Sequence, residues 1–333
     1  TGKADVVKLV VADAKAQGAN GIVDVTVVAD GAISGTVYLT GANTNLTTSL
    51  TFENGQTSAQ LTVADARFWS PADPYLYTLT VTLADNADRY TLNVGIRTIA
   101  IDGGTLLLNG RPIFLKGFGK HEDFAITGRG HFNPVVVKDF ALLKWVGANS
   151  FRTGHYPYAE EQMMMADREG ILIIAEIPNV SLQFTGGDDA VAERLRVCKA
   201  QLTALIARDK NHPSVIMWSI ANEPMPPDML KRLAGGAGDP VDPQTTSFFQ
   251  ELYALCRAHD PTRLVTLTGF ARGPVEWLAV TDVACINRYY GWYSHAGQLA
   301  EGQQALEEEL DTLYAELGKP IIITEFGADT LPG

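Results

Sequence analysis

The sequence predicts a multidomain chain of β and α/β type: an immunoglobulin-like β-sandwich over residues 1–98, then a (β/α)8 (TIM) barrel over 99–333 that stops after its seventh strand. Three observations predict it. Apolar and polar residues alternate with a period of two in the first hundred positions. Beyond them, short apolar runs alternate with segments of helical spacing. Polar residues then recur just past the ends of those runs. A length of 333 residues is long for one domain and suits two.

The sandwich is read from its alternation. Val23, Val25 and Val27 alternate with Asp24 and Thr26, and Tyr75, Tyr77, Leu79, Val81 and Leu83 alternate with Leu76 and threonines. One face of each strand is therefore buried. Thr36–Thr40, Ser49–Phe52, Leu61–Val63 and Tyr90–Val94 supply further strands between Gly, Asn and Asp turns, about seven in all. Leu106 to Ile113 reads as a hairpin, because Asn109-Gly110 can take the positive φ angles of a tight turn.

The barrel strands are expected at Ile113–Phe118, Asn149–Thr153, Ile171–Glu176, Val215–Ile220, Leu264–Leu267, Val283–Asn287 and Ile321–Glu325. Val191, Leu195, Cys198, Leu202 and Leu205 carry helical spacing, as do Leu306, Leu310, Leu313, Tyr314 and Leu317 with an acidic outer face. An open nucleotide-binding sheet is the competing fold. It would want a G-x-G-x-x-G turn after its first strand, and Gly117-Phe118-Gly119-Lys120-His121-Glu122 lacks the third glycine. The barrel instead predicts polar residues at the C-terminal strand ends. His121-Glu122-Asp123, Arg152 with His155, Glu176, Asn222-Glu223, Asn287 and Glu325 fall there, after six strands. A closed barrel needs an eighth strand, so the chain reads as a fragment, and its start at Thr1 also reads as internal. The compartment stays open on that account, with the cytoplasm favoured.

Composition narrows the partners. A formal charge of −12 argues against nucleic acid, whose phosphates want basic surface. No apolar run reaches the roughly 20 residues of a membrane-spanning helix, so no membrane partner is expected. Cys198, Cys256 and Cys285 sit in apolar contexts at no metal-like spacing and read as small buried hydrophobes. His121 beside Glu122 and Asp123 lacks a second histidine, so neither a metal nor a cofactor is expected.

Two carboxylates facing each other over a barrel mouth are the minimum for cleaving a glycosidic bond, one as proton donor and one ionised. Glu223 and Glu325, ending strands four and seven, are the catalytic candidates. Asn222 can hold a sugar hydroxyl. Asn287 opens Asn287-Arg288-Tyr289-Tyr290-Gly291-Trp292-Tyr293, the densest aromatic stretch, where rings offer flat faces to sugar C–H groups. Arg152 can reach a carboxylate at the mouth, His155 can hydrogen-bond substrate, and Glu176 can orient a neighbour. Arg208-Asp209-Lys210-Asn211-His212-Pro213 precedes strand four and so belongs to the opposite, stability face despite its charge.

The chain resembles glycoside hydrolase family 2. The resemblance lies in Phe68-Trp69-Ser70-Pro71 with Pro74-Tyr75-Leu76-Tyr77, in Gly147 through Tyr158, in Ile206 through Pro224 and in Ile321 through Gly327. Within the family, Asn287 through Tyr293 and Ile323 through Thr330 are most similar to β-glucuronidase members. The resemblance implies a retaining mechanism, with Glu223 as acid/base, Glu325 as nucleophile and the two carboxyl groups about 5–5.5 Å apart. It implies substrate contacts from Asn222, Asn287 and Tyr293. Tyr289, His155, Arg152, His121 and Asp123 complete the expected binding set. A small glycoside, or the non-reducing end of an oligosaccharide, is the expected partner, and the full-length parent is expected to be a homo-oligomer.

The chain departs from the family pattern in lacking the jelly-roll domain, the last barrel strand, and the Asn and Lys that grip a uronic-acid carboxylate. The stretch Ile177-Pro178-Asn179-Val180-Ser181 also reads as short, with no long loop over the site. Glucuronide, galactoside and galacturonide specificities therefore stay open at this stage, as does a non-catalytic carbohydrate-binding relative.

Overall fold

A computed structural model describes residues 5–84 and 87–327, so the Ala328-Asp329-Thr330 end of the last motif lies outside the described residues. Seven strands build the sandwich: β1 (Val6–Gln17), β2 (Asn20–Asp30), β3 (Ser34–Gly41), β4 (Thr44–Thr51), β5 (Gln56–Val63), β6 (Tyr77–Leu83) and β7 (Arg89–Val94). They form two antiparallel sheets in the orders β1-β2-β5 and β4-β3-β6-β7. The alternation does the sorting: Val23, Val25 and Val27 of β2 meet Val37, Leu39, Leu79 and Val81 of the other sheet in one core. A one-residue slip would turn these valines to solvent, and the register Val23↔Leu61 and Val37↔Val81 is held for that reason. β6 starts at Tyr77 rather than Tyr75, because the Tyr75 amide donates to Asp73 O in a local turn.

A small sheet follows, made of β8 (Ile99–Asp102), β9 (Thr105–Leu108) and β10 (Arg111–Pro112). Asn109 and Gly110 turn the hairpin with φ of 52° and 72°, the left-handed pair that a two-residue hairpin loop requires. Leu106 and Leu108 reach up into the barrel floor, where they pack with Trp69, Leu172, Ile174, Ile216, Met217 and Cys285.

The barrel is β11 (Gly117–Lys120), α1 (Asn133–Trp145), β12 (Ser150–Thr153), α2 (Glu160–Glu169), β13 (Leu172–Glu176), α3 (Asp188–Asp209), β14 (Val215–Asn222), α4 (Met229–Leu233), α5 (Pro243–His259), β15 (Leu264–Gly269), α6 (Val275–Ala279), β16 (Val283–Asn287), α7 (Leu299–Leu317) and β17 (Ile321–Glu325). Its seven strands are parallel and ordered β11 through β17, a nearly closed cylinder that matches a TIM barrel stopped after strand seven. The first barrel strand differs from the expected Ile113–Phe118. Ile113 N still donates to Leu106 O and so belongs to the hairpin, while Lys116 N is held by the Asn149 side chain. Pairing with β12 begins only at Gly117.

The sandwich docks on the N-terminal end of the barrel. Trp69 Nε1 donates to Asp167 O, and Arg97 donates to Pro213 O and Val215 O. Asn211, from the charged stretch before β14, donates to Val10 O and accepts from Ala12 N. Gly170 ends α2 with φ 72°, and a Cβ there would lie 2.6 Å from Pro71 O, so only glycine both turns the helix end and lets the sandwich loop this close. The three cysteine thiols are buried, and burial pushes Cys285 up to about 12 and Cys198 up to about 11, which suits packing rather than chemistry.

Candidate active site

Parallel strands deliver their C-terminal residues to one rim, and the polar side chains gather there. Arg152 on β12 lies at the centre, 2 % exposed. Its Nη1 donates to Glu176 Oε1 at 2.6 Å and reaches Asn222 Oδ1 at 3.4 Å, and its Nη2 donates to Glu325 Oε1. Burial alone would weaken the guanidinium's hold on its proton, but Glu176 and Glu325 outweigh it and raise its pKa above the ordinary value. Glu176 is fully buried and satisfied: Ser219 Oγ donates to Oε2 at 2.6 Å, and His155 Nδ1 sits 2.8 Å from Oε1. It therefore anchors Arg152 and His155 rather than facing the cavity.

Glu325 at the end of β17 also accepts from the Tyr289 hydroxyl through Oε2, and His155 Nε2 lies 3.5 Å from its Oε1. Burial first, then the bond to Glu325 and the charges of Glu325 and Glu223, raise the Tyr289 pKa, so the phenol stays a donor. Glu223 follows β14 with φ of +47°, a conformation that a non-glycine residue adopts only when its surroundings impose it. Its amide donates to Thr268 O, and its Oε1 accepts from Asn287 Nδ2 at 3.0 Å. Asn287 Oδ1 in turn accepts from Thr324 Oγ1 at 2.9 Å, next in sequence to Glu325. Asn287, Thr324, Tyr289 and Arg152 thus join the ends of β14, β16 and β17 into one cluster.

Beside this cluster lies a cavity of about 300 Å³ lined by Phe118, His121, Arg152, His155, Tyr289, Trp292, Tyr293, Glu325 and Phe326. Trp292 and Tyr293 stack with centroids 4.2 Å apart at its rim, and Tyr293 is 73 % exposed. The rings offer flat apolar faces while Glu325, Arg152 and His155 supply polar groups, the mix a sugar ring calls for.

The structure brings together nearly all the residues expected at the site. Arg152 reaches a carboxylate at the mouth as expected, and because its Nη1 and Nη2 donate to Glu176 and Glu325 it is a holder of the carboxylate rather than the substrate contact also expected of it. His121 lies on the cavity wall, edge-on to His155 at 5.4 Å, and burial lowers its pKa. Asp123 follows on the same loop, exposed and outside the cavity lining. Trp292 belongs to the aromatic stretch expected to face a sugar, whereas nothing in the sequence alone points to Thr324, Ser219 or Phe118 as part of the site. Thr324 alternates with Glu325 on one strand, which marked it as a neighbour, but its bond to Asn287 needs the closed barrel. Among the described residues no group of three or more His, Cys, Asp or Glu could hold a metal ion, and no helix is long and apolar enough to cross a membrane.

The described residues thus form a sandwich followed by a parallel barrel with two glutamates at its C-terminal rim. Comparison with known proteins shows which family has this arrangement. Residues 99–333 match the model for the TIM barrel domain of glycosyl hydrolases family 2, and residues 7–97 match the companion model for glycosyl hydrolases family 2. The chain belongs to that family.

Among relatives, the β-glucuronidase of Paenibacillus borealis is 44% identical over 295 residues, covering 83% of this chain and 46% of that protein. The β-glucuronidase of Rattus norvegicus is 41% identical over 285 residues, covering 82% of this chain and 41% of that protein. Among solved structures, the Ruminococcus gnavus β-glucuronidase in complex with D-glucuronic acid superposes with a TM-score of 0.85 at 37% identity, over 99% of this chain and 54% of that one. The Bifidobacterium dentium β-glucuronidase complexed with coumarin-3-O-glucuronide gives 0.88 at 37%, over 99% of this chain and 54% of that one. The chain spans about half the length of the relatives it matches.

Proposed function

We propose that the protein carrying this chain is a retaining exo-glycosidase that hydrolyses β-D-glucuronides. The observation that carries the reading is the cluster in which Asn287 bonds Glu223, Thr324 bonds Asn287, and Tyr289 and Arg152 bond Glu325 beside one sugar-sized cavity. The names of the relatives, and the glucuronic acid held by the Ruminococcus gnavus protein, supply the sugar.

In this reading Glu325 attacks the anomeric carbon as Glu223 passes its proton to the leaving oxygen, which departs as the alcohol. A glycosyl ester on Glu325 remains. Glu223, now ionised, takes a proton from water; the hydroxide adds to the anomeric carbon and the ester bond breaks, freeing Glu325. Two inversions give net retention. Arg152 and Tyr289 hold the attacking carboxylate in place, and their donors compensate its charge before and after the ester forms. Asn222 and Asn287 present amide groups to sugar hydroxyls or to Glu223.

The test uses the full-length parent with 4-nitrophenyl β-glucuronide, β-galacturonide and β-galactoside, and proton NMR of the first-formed sugar anomer. Preferred cleavage of the glucuronide with β-sugar released first is the expected result. Preference for the galactoside would move the specificity elsewhere in the family, and α-sugar released first would overturn the double displacement.

A further inference from the structure

The residues that end β16 and lead off it point two ways in turn. Asn287 Nδ2 donates to Glu223 Oε1 at 3.0 Å, and the Tyr289 hydroxyl donates to Glu325 Oε2, so these two side chains touch both candidate catalytic carboxylates. Arg288 and Tyr290, which alternate with them, turn away from the mouth, and both end on one carboxylate of α7, Glu309. Arg288 Nε and Nη2 donate to Glu309 Oε1 at 2.8 and 2.6 Å, and the Tyr290 hydroxyl donates to Glu309 Oε2 at 3.0 Å. Tyr289 lines the sugar cavity, whereas Arg288 and Glu309 line a separate pocket of about 140 Å³ behind the rim, which also touches Pro224 next to Glu223.

Backbone pairing does not by itself hold this stretch. The register of β16 with β17 shifts between Ile286 and Asn287, and β16 ends at Asn287. Beyond it the Arg288 amide donates to Glu325 O at 2.9 Å, and the Tyr289 carbonyl accepts from the Trp292 and Tyr293 amides in a local turn. Tyr289 has thus left the ladder before it reaches Glu325. Its neighbours' bonds to a 19-residue helix tie it to a rigid element.

Arg288 is buried, so its charge needs an answer in any case. Neutralising that charge does not require Arg288 Nη1 to fold back on Asn287 O at 2.7 Å, nor a second donor from Tyr290 on the same carboxylate. A planar guanidinium bonded through its fork fixes direction as well as charge. Because all four side chains share one backbone, a turn at Arg288 and Tyr290 carries Asn287 and Tyr289 with it, and reacting groups tolerate little misplacement.

We propose that Glu309 is a positioning residue for both carboxylates: through Arg288 and Tyr290 it fixes the stretch 287–290 so that Asn287 meets Glu223 and Tyr289 meets Glu325. The inference rests on the glycosidase reading but on no choice of sugar.

The full-length parent is compared with Glu309→Ala, Glu309→Gln and Tyr290→Phe on whichever aryl glycoside the wild type cleaves fastest. Active sites are counted by covalent trapping with the 2-deoxy-2-fluoro analogue of that glycoside. In Glu309→Ala, kcat per trapped site should fall about 10–100-fold, with KM within about threefold of wild type. Glu309→Gln keeps an acceptor for Arg288 and Tyr290→Phe removes one hydroxyl, so each should lose less. Glu309→Ala combined with Arg288→Ala should lose no more than Glu309→Ala alone, since both break one clamp. Fewer trapped sites at an unchanged kcat per site would make Glu309 a structural partner of Arg288 and overturn the proposal. So would a change confined to KM, or losses from Arg288→Ala and Glu309→Ala that multiply. Where Glu309→Ala does not fold, wild-type kcat in both Glu309→Gln and Tyr290→Phe overturns it too. A wild-type parent that cleaves no glycoside takes down the glycosidase reading and this inference together; a working wild type with unchanged variants takes down this inference alone.

Discussion

The two ends of the barrel each hold a knot of charge, and they differ in whether the carboxylates stay exposed. At the N-terminal end Asp260 accepts from Trp218 Nε1 and Arg263 Nη1 through one oxygen, and from Thr262 N and Oγ1 through the other. Burial pushes its carboxyl up, but Arg263 and Thr262 prevail and hold it well below the usual carboxylate range. Arg263 spends its remaining donors on Val215 O, Lys210 O and His212 O. Every donor of Arg263 and both oxygens of Asp260 are answered. At the C-terminal end Glu325 is 23 % exposed at the side chain, and Glu223 is half-buried with one bonded oxygen. Charge density therefore does not distinguish a site from a strut; solvent exposure of the carboxylate does, since Glu325 stays 23 % exposed on the cavity wall although both its oxygens accept hydrogen bonds.

The comparison breaks most easily at the rim. Glu325→Gln and Glu223→Gln in the full-length parent should each lower kcat/KM by at least about 10³-fold, while the thermal midpoint stays near wild type. With an activated aryl glucuronide, azide should restore turnover to Glu223→Ala with the β-glycosyl azide as product, whereas any rescue of Glu325→Ala, where azide replaces the missing carboxylate in a single displacement, should give the α-azide. A large loss of stability with either glutamine would make that glutamate a strut after all.

Asp260→Ala is the mirror experiment. It strands Arg263 as an uncompensated buried charge, for which about 3–5 kcal/mol of unfolding free energy is expected by denaturant titration. The KM of the surviving folded fraction should be unchanged. A changed KM would show that the two ends are coupled.

Arg152→Lys sits between the two, because Arg152 is buried like a strut yet holds Glu325. A lysine cannot serve Glu176 and Glu325 together with one ammonium. Both kcat and stability should fall, kcat by about 10–100-fold on the scale of lost orienting contacts. A loss confined to stability would remove Arg152 from the site.

The smallest effect concerns His212 at the N-terminal end. Burial disfavours its charge, but the hydrogen bond and charge of Asp167, 2.5 Å from Nδ1, more than offset this and raise its pKa above the ordinary 6.5. The folded state thus binds this proton more tightly than the unfolded chain does. The added stability is complete below about pH 6.5 and fades as pH rises through the elevated folded value. Thermal scans from pH 5.5 to 9 should show a decline that His212→Gln flattens; parallel curves would exclude His212 as its source.

Much of this was legible in the residues. Period-two valines point β2 inward, and Asn109-Gly110 marks the turn between β9 and β10, because both signals are local. The strand-end positions of Arg152, Glu176, Asn222, Glu223, Asn287 and Glu325 followed from barrel geometry alone. Arg208–Pro213 was assigned to the far end for the same reason, and its Asn211 and Pro213 meet the sandwich there. The start of β11 was misjudged because Ile113 has two apolar environments open to it, and only the hairpin register chooses. The strained φ of Glu223 and the Thr324–Asn287 bond arise from closure of distant strands, which no window of sequence contains. Asp123 shared a loop with His121 but not its direction.

The Asn211 carboxamide also seals the edge of the sandwich. Its oxygen and nitrogen serve Ala12 N and Val10 O, Thr98 Oγ1 accepts from Ala16 N, and Asp88 accepts from Val7 N. Side chains thereby caulk the outer margin of a twelve-residue strand that, among the described residues, pairs with no strand on that side. Lifted off the barrel, the first hundred residues would lose the Asn211 plug and present bare amides to one another, so that piece on its own should be sticky where the whole is not.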